Sequence, residues 1–497
     1  MNYQSTRNSG LKVLSAHAIA NGISVDGGLF VPCELPRLEL SEIAGLSGKT
    51  YPEIANFVLS KFLTDFTEEE IKHCVSGAYV GNFETEEVIE LASIENDRYM
   101  LELWHGPTCA FKDMALQILP YLLTTSVKKL GIDKKVVILV ATSGDTGKAA
   151  LEGFKDVEGT QILVFYPVDG VSNMQKLQMT TQDGENVGVC AIKGNFDDAQ
   201  TGVKAIFTDP EIKEILAQNG YMFSSANSIN WGRLLPQIVY YIASYVKLLE
   251  AEQIELGEKV NICVPTGNFG NILAAYYAKH MGLPVGKLVC ASNSNNVLTD
   301  FIKTGVYDRN RSFYTTMSPS MDILISSNLE RLLYELSGKD DEYVKSLYKS
   351  LAETGRFEVS EEIKAKLQSE FFGGFATEEE TSKAILENRN SVGYVMDTHT
   401  AVAYSVYEAY KAETADETKA VIASTASPYK FPKAVLGALG GFDLDQDEFR
   451  LIEDLEAESF IKIPESLAKL EGKEVRFNGV ADKSEMREAV FSSLGIK

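Results

Sequence analysis

Two segments of this chain carry residue types that do chemistry only in company. His105-Gly106-Pro107-Thr108-Cys109-Ala110-Phe111-Lys112-Asp113 presents a lysine at a turn running into an apolar stretch, and Gly267-Asn268-Phe269-Gly270-Asn271 is a glycine-rich loop. A lysine taken alone is most often a solvated charge, and a glycine loop alone is most often a turn. Together they offer an amine that can form a Schiff base with an aldehyde and backbone N–H donors for a phosphate, and pyridoxal phosphate needs both.

Lys112 is flanked by Ala110-Phe111 and by Met114-Ala115-Leu116, apolar surroundings for a charged side chain. The run that follows favours helix, so Lys112 is expected near a helix start. The partial positive charge there lowers the cost of a neutral amine and attracts anions.

Three further segments join the glycine-rich loop as places where a ligand could be held. Ala141-Thr142-Ser143-Gly144-Asp145-Thr146-Gly147 and Pro265-Thr266-Gly267-Asn268-Phe269-Gly270-Asn271 each follow an apolar run and open a helical pattern. Ligands of open α/β sheets bind at that end of the strands. The first segment reads equally well as a loop with a helix cap, and it is not a phosphate-binding GxxxxGK[ST] loop. In the second, two glycines permit close backbone approach to a phosphate. Ala226-Asn227-Ser228-Ile229-Asn230-Trp231-Gly232-Arg233 gathers amides, a hydroxyl and a guanidinium suited to a phosphate or carboxylate, although capping by Asn230 and an ordinary ion pair for Arg233 account for it without function. Ala423-Ser424-Thr425-Ala426-Ser427-Pro428 offers a neutral hydroxyl for a pyridine nitrogen.

The elements that must position these groups follow a βα alternation from about residue 135, the signature of an α/β fold with helices packed on a largely parallel sheet. Strands are expected at 136–141, 161–166, 187–192, 260–264, 287–291 and 420–424. Helices are expected at 148–154, 174–181, 197–208, 233–250, 272–281 and 400–411. Residues 1–85 read as a small N-terminal unit and 86–440 as the catalytic region, with a smaller subdomain at about 110–240 and a helix-rich, strand-poor insertion at about 320–388. Residues 441–497 form a C-terminal segment.

The 497 residues carry a formal charge of −23, which argues against nucleic acid or anionic membrane as partners, since both need clustered Lys and Arg. Six cysteines without CxxC spacing and five scattered histidines point to a reducing compartment and give no metal site. With no apolar signal region at the start and no run of membrane-spanning length, the expected location is cytoplasmic.

The ordered set DGGLF.P, HGPT.AFKD, ATSGDTG, NSIN..R, GNFG and STA.P.KF resembles threonine synthases of the long bacterial and fungal type, within the fold type II pyridoxal phosphate enzymes, over most of the chain. The resemblance implies two open, twisted, mostly parallel sheets flanked by helices, with a small N-terminal unit and a helical insertion. It implies the pyridoxal phosphate-dependent conversion of O-phospho-L-homoserine and water to L-threonine and phosphate, by γ-elimination and β-addition of water. Lys112 would hold the cofactor and shuttle protons; Gly267, Asn268, Phe269, Gly270 and Asn271 would seat its phosphate, and Thr425 would face its pyridine nitrogen. Ser143, Gly144, Asp145 and Thr146 would bind the substrate's amino-acid end, and Ser228, Asn230 and Arg233 its phosphate. A monomer or weak homo-oligomer is expected.

The family often reads STAHP.KF, whereas Ser427 stands here in the histidine's place, which puts in doubt that histidine's role but not Thr425. Two other readings stay open at the sequence level. One is a serine/threonine dehydratase-like β-eliminase of the same fold, which has no need of Arg233. The other is a threonine-synthase-like binding protein without turnover, against which the intact Lys112 argues.

Overall fold

A computed structural model describes residues 1–95, 97–142, 144–168 and 171–496. Its largest sheet has six strands in the order Phe371–Phe375, Val285–Ser292, Val260–Pro265, Ala420–Ser424, Arg98–Glu102, Glu90–Glu95. All are parallel except the last, which pairs antiparallel with Arg98–Glu102. A second sheet of five parallel strands runs Val480–Ala481, Val187–Ile192, Thr160–Pro167, Lys135–Ala141, Tyr221–Ser224. The central strands read as continuous apolar runs, such as the Val136 to Val140 stretch, because helices cover both faces.

Smaller elements frame these sheets. Asn8–Val13, Tyr3–Ser5 and Phe30–Pro32 form an antiparallel sheet near the N-terminus. Trp231, fully buried, joins it to the rest: its indole meets Tyr3 and Phe62 on one side and Tyr277 on the other, at ring separations of 5.5, 5.8 and 5.7 Å.

The six expected strands all form, within two residues at each end. The helix expected at 233–250 is two helices, Trp231–Leu234 and Pro236–Glu250. Pro236 has no N–H to continue the first helix but fits the first turn of the second.

The stretch expected to be strand-poor contains four helices, Leu329–Leu336, Asp341–Thr354, Glu361–Glu370 and Glu378–Val392. It also supplies Phe371–Phe375, an edge strand of the largest sheet. That strand carries a Gly373-Gly374 pair. In the fold these glycines let helices approach, since a Cβ on Gly374 would stand 2.6 Å from Val406 and one on Gly373 would stand 3.1 Å from Ile302. The C-terminal segment touches both large sheets: Leu451, Ile452 and Leu455 pack in the core beside the six-stranded sheet, and Val480–Ala481 extends the five-stranded one.

Candidate active site

Local hydrogen bonds fix the backbone that presents Lys112. The buried Asp113 carboxylate accepts from Thr108 N and Oγ1 at 2.8 and 2.7 Å. A Cβ on Gly106 would lie 2.6 Å from that carboxylate, so the turn needs glycine there. Phe111 N donates to the Thr425 carbonyl and Ser427 N to the Cys109 carbonyl, at 2.8 and 3.0 Å. The lysine loop is thus zipped to the segment leaving strand Ala420–Ser424. Lys112 stands immediately before the short helix Asp113–Leu116, as its sequence position implies. Burial pushes the Asp113 carboxyl up to about 7 even though Thr108 donates to it.

The Lys112 amine lies 3.5 Å from Asp145 Oδ2 and 3.3 Å from Ser320 Oγ. Burial pulls its pKa below the ordinary lysine value; Asp145 opposes that, and the charges of Arg233 and Lys430 add to it. Asp145 is itself buried. Its Oδ1 takes Lys430 Nζ at 3.1 Å and Gln175 Nε2 at 3.1 Å, and its Oδ2 takes Ser320 Oγ at 3.3 Å. Burial alone would raise its pKa, but Lys430, Lys112 and Gln175 hold it far below the usual carboxylate range.

Ser320 is held from behind. His399 Nε2 accepts from Ser320 N at 3.2 Å, and His399 Nδ1 lies 3.0 Å from Asp397 Oδ1. An Nε2 that accepts requires the proton on Nδ1, where Asp397 takes it.

The glycine-rich loop follows strand Val260–Pro265. Phe269 adopts φ +62°, and the helix Gly270–Met281 begins with no side-chain cap, so its first N–H groups remain available to an anion. The Asn268 carbonyl accepts from Asn328 N and Nδ2, both at 3.1 Å, and the Gly267 carbonyl from Ser326 Oγ at 2.7 Å. A Cβ on Gly267 would stand 3.0 Å from the Ser320 carbonyl. Ser320 therefore touches the lysine with its hydroxyl and flanks the loop with its backbone. Asn271 Oδ1 accepts from the Tyr241 hydroxyl, while its Nδ2 is buried with no partner among the described residues.

The remaining expected residues fall into three situations. Asn230 spends its amide locally: Oδ1 accepts from Gly232 N at 2.8 Å, and Nδ2 donates to the Ile19 and Ser225 carbonyls at 3.0 and 2.8 Å. Arg233 is buried and donates from Nη1 to the Ala226 carbonyl at 2.7 Å. No carboxylate among the described residues lies within ion-pair distance of it, and burial draws its pKa down to about 10. Ser228 Oγ is 3.4 Å from Ser327 Oγ, which reaches Asn268 Oδ1 at 3.3 Å.

Gly144 has φ +139°, and a Cβ there would stand 2.4 Å from the Gln175 amide. Its N–H donates to Thr142 Oγ1 at 3.0 Å. Thr146 lies in the first turn of helix Asp145–Phe154. Ser143 lies outside the described residues. Thr425 is buried, and its hydroxyl bonds to no described residue.

Comparison with known proteins places this geometry in context. Family models described as "Threonine synthase N terminus", "Pyridoxal-phosphate dependent enzyme" and "Threonine synthase, C-terminal" match residues 2–79, 91–361 and 400–490. Threonine synthase of Pseudomonas aeruginosa is 38% identical over 436 residues, which are 88% of this chain and 90% of that protein. The chain belongs to the threonine synthase family. Human threonine synthase-like 1 is 41% identical over 434 residues; the match spans 85% of this chain but 58% of that protein's length. The crystal structure of pyridoxal phosphate-bound threonine synthase from Brucella melitensis superposes with a TM-score of 0.88 at 36% identity, covering 99% of both chains.

For this member of the threonine synthase family, the donor set fits a pyridoxal phosphate. Among the described residues these donors are the Lys112 amine, the uncapped helix start behind the glycine loop, the unpartnered Asn271 amide and the Thr425 hydroxyl. The sequence reading did not single out Lys430, Gln175, Ser320 or His399. Lys430 is the lysine of STA.P.KF. Ser320 stood in a stretch read as insertion, and nothing local marks Gln175. His399 follows Asp397 in an Asp-Thr-His-Thr helix start whose capping alone accounts for the aspartate.

Proposed function

We propose that the protein is a threonine synthase, converting O-phospho-L-homoserine and water to L-threonine and phosphate. What supports this most is two separate anion seats around one amine. The helix start behind Gly267–Asn271 is one, and the buried, carboxylate-free Arg233 is the other. An enzyme acting on serine or threonine needs only the first.

In this reading Gly267, Asn268, Phe269, Gly270 and Asn271 hold the phosphate of pyridoxal phosphate, Lys112 bonds its aldehyde carbon, and Thr425 offers its hydroxyl to the pyridine nitrogen. When bound, the cofactor withdraws electrons from an amino acid joined to it, which acidifies the Cα–H bond. A neutral hydroxyl partner leaves the pyridine uncharged and favours elimination and replacement. Ser143, Gly144, Asp145 and Thr146 bind the amino-acid end of the substrate, Asp145 and Thr146 through the N–H groups at the start of helix Asp145–Phe154. Arg233 and Ser228 bind its phosphate, with Asn230 shaping the loop that carries them. Lys112 Nζ takes the proton from Cα and later handles protons at Cβ and Cγ, and phosphate leaves from Cγ before water adds at Cβ. Asp145 stays ionised throughout, held by Lys430. The divided catalytic region, the cytoplasmic location and the monomeric or weakly associated state belong to the same proposal. No helix among the described residues is long and apolar enough to cross a membrane.

The test is product formation from O-phospho-L-homoserine by the cofactor-loaded protein. Equimolar threonine and phosphate are expected. Cofactor binding without either product would overturn the assignment in favour of a binding role, and release of ammonia from serine or threonine alone would favour a β-eliminase.

A further inference from the structure

A single carboxylate here serves two buried amines, and its two oxygens are not used alike. Lys430 ends the turn Pro428–Lys430 beyond strand Ala420–Ser424, and its side chain has no solvent exposure. Its amine meets Asp145 Oδ1 at 3.1 Å and donates to Gln178 Oε1 at 2.6 Å. Lys112, one-tenth exposed, meets the other oxygen at 3.5 Å and shares it with Ser320 Oγ.

A fully enclosed ammonium is retained only when paired and hydrogen-bonded, and one carboxylate balances one charge. Lys430 has the shorter contact, the amide acceptor and no route to water. Lys112 has the longer contact, a shared oxygen and the nearby charge of Arg233. We propose that Lys430 is a positioning residue which claims the Asp145 carboxylate and so leaves Lys112 as the neutral, nucleophilic amine of the pair. This rests on the reading of Lys112 as the residue that bonds the cofactor.

The groups facing each amine agree with that division. Asp145, Arg233 and Lys430 face Lys112, and burial followed by these charges sets its lowered pKa. Around Lys430 stand Asp145, Asp113, Cys109 and Lys148. Thr108 is hydrogen-bonded to Asp113, and Glu152 and Gln182 take Lys148. Asp145 is thus the carboxylate within ion-pair distance of Lys430. If Lys430 lost its charge, Asp145 would turn wholly to Lys112 and hold that amine protonated.

The experiment measures acetylation of Lys112 by acetic anhydride across a pH series, read by mass spectrometry on the full chain freed of cofactor. Lys430→Met should move the midpoint of Lys112 labelling upward by about one pH unit or more, the size of shift a single nearby charge produces. Lys430→Arg, which keeps the charge, should restore the wild-type midpoint. An unmoved midpoint in folded Lys430→Met protein would overturn the proposal. If that variant does not fold, Lys430→Gln, which keeps a donor toward Gln178, is held to the same criterion. Labelling of Lys112 in the wild-type protein loaded with pyridoxal phosphate tests the underlying reading separately. Protection there with an unmoved midpoint in the variant would sink only the role of Lys430, whereas no protection would sink the cofactor assignment itself.

Discussion

Arg233 points its buried guanidinium at the Ala226 carbonyl, 2.7 Å away, and that bond ties the charge to its own loop without neutralising it. Burying an arginine with no carboxylate beside it is costly, and a dianionic ligand is the natural way to recover that cost.

Arg233→Ala therefore should weaken phosphohomoserine and spare the cofactor. A hydrogen bond to a charged group contributes about 1.5–3 kcal/mol, so KM should rise by roughly 10- to 150-fold. Cofactor absorbance should be retained. An unchanged KM would place the substrate phosphate elsewhere.

His105 gives a pH dependence. Its Nε2 lies 2.9 Å from Glu102 and its Nδ1 3.6 Å from Glu84. Burial opposes its charge, but these carboxylates win and carry its pKa up to about 9. Because the folded value exceeds the unfolded one of about 6.5, the contribution is fully present below pH ~6.5 and is lost as pH rises toward 9. Its size is about 3 kcal/mol. Urea melts should show wild-type protein losing stability between pH 6 and 9.5, with the His105→Gln curve flatter over that range. Parallel curves would assign the loss to other groups.

Trp231→Ala should destabilise the protein by about 3–5 kcal/mol, the range for deleting a large buried aromatic. Because Trp231 joins the N-terminal sheet to the remainder through Tyr3 and Tyr277, proteolysis in native buffer should release the N-terminal residues first. Uniform digestion would show that other contacts secure that sheet.

Much of this site was legible in the sequence because its parts are local. A lysine amid apolar neighbours before a helix, a Gly-Asn-Phe-Gly loop after an apolar strand and hydroxyls at another strand's end are patterns over five to ten residues, and backbone period sets them. The six central strands were legible for the same reason. Where local signals compete, the reading stopped short. Phe371–Phe375 lies in a stretch expected to be strand-poor, and only its pairing with Val285–Ser292 shows it to be an edge strand. Asn230 reads as a ligand donor until its amide is seen filled by Gly232, Ile19 and Ser225.

By itself, then, the sequence determined which groups are on hand for chemistry: an amine, a glycine-rich loop, neutral hydroxyls and a guanidinium, each beside a strand or helix that its own neighbours dictate. Only the tertiary structure decided how charge is apportioned among them. Ser320 meets Lys112 from 208 positions away, and Lys430 reaches Asp145 from a turn beyond a strand of the other sheet. Burial and pairing depend on what the completed fold brings within a few ångströms, and no local pattern of residues encodes that distance.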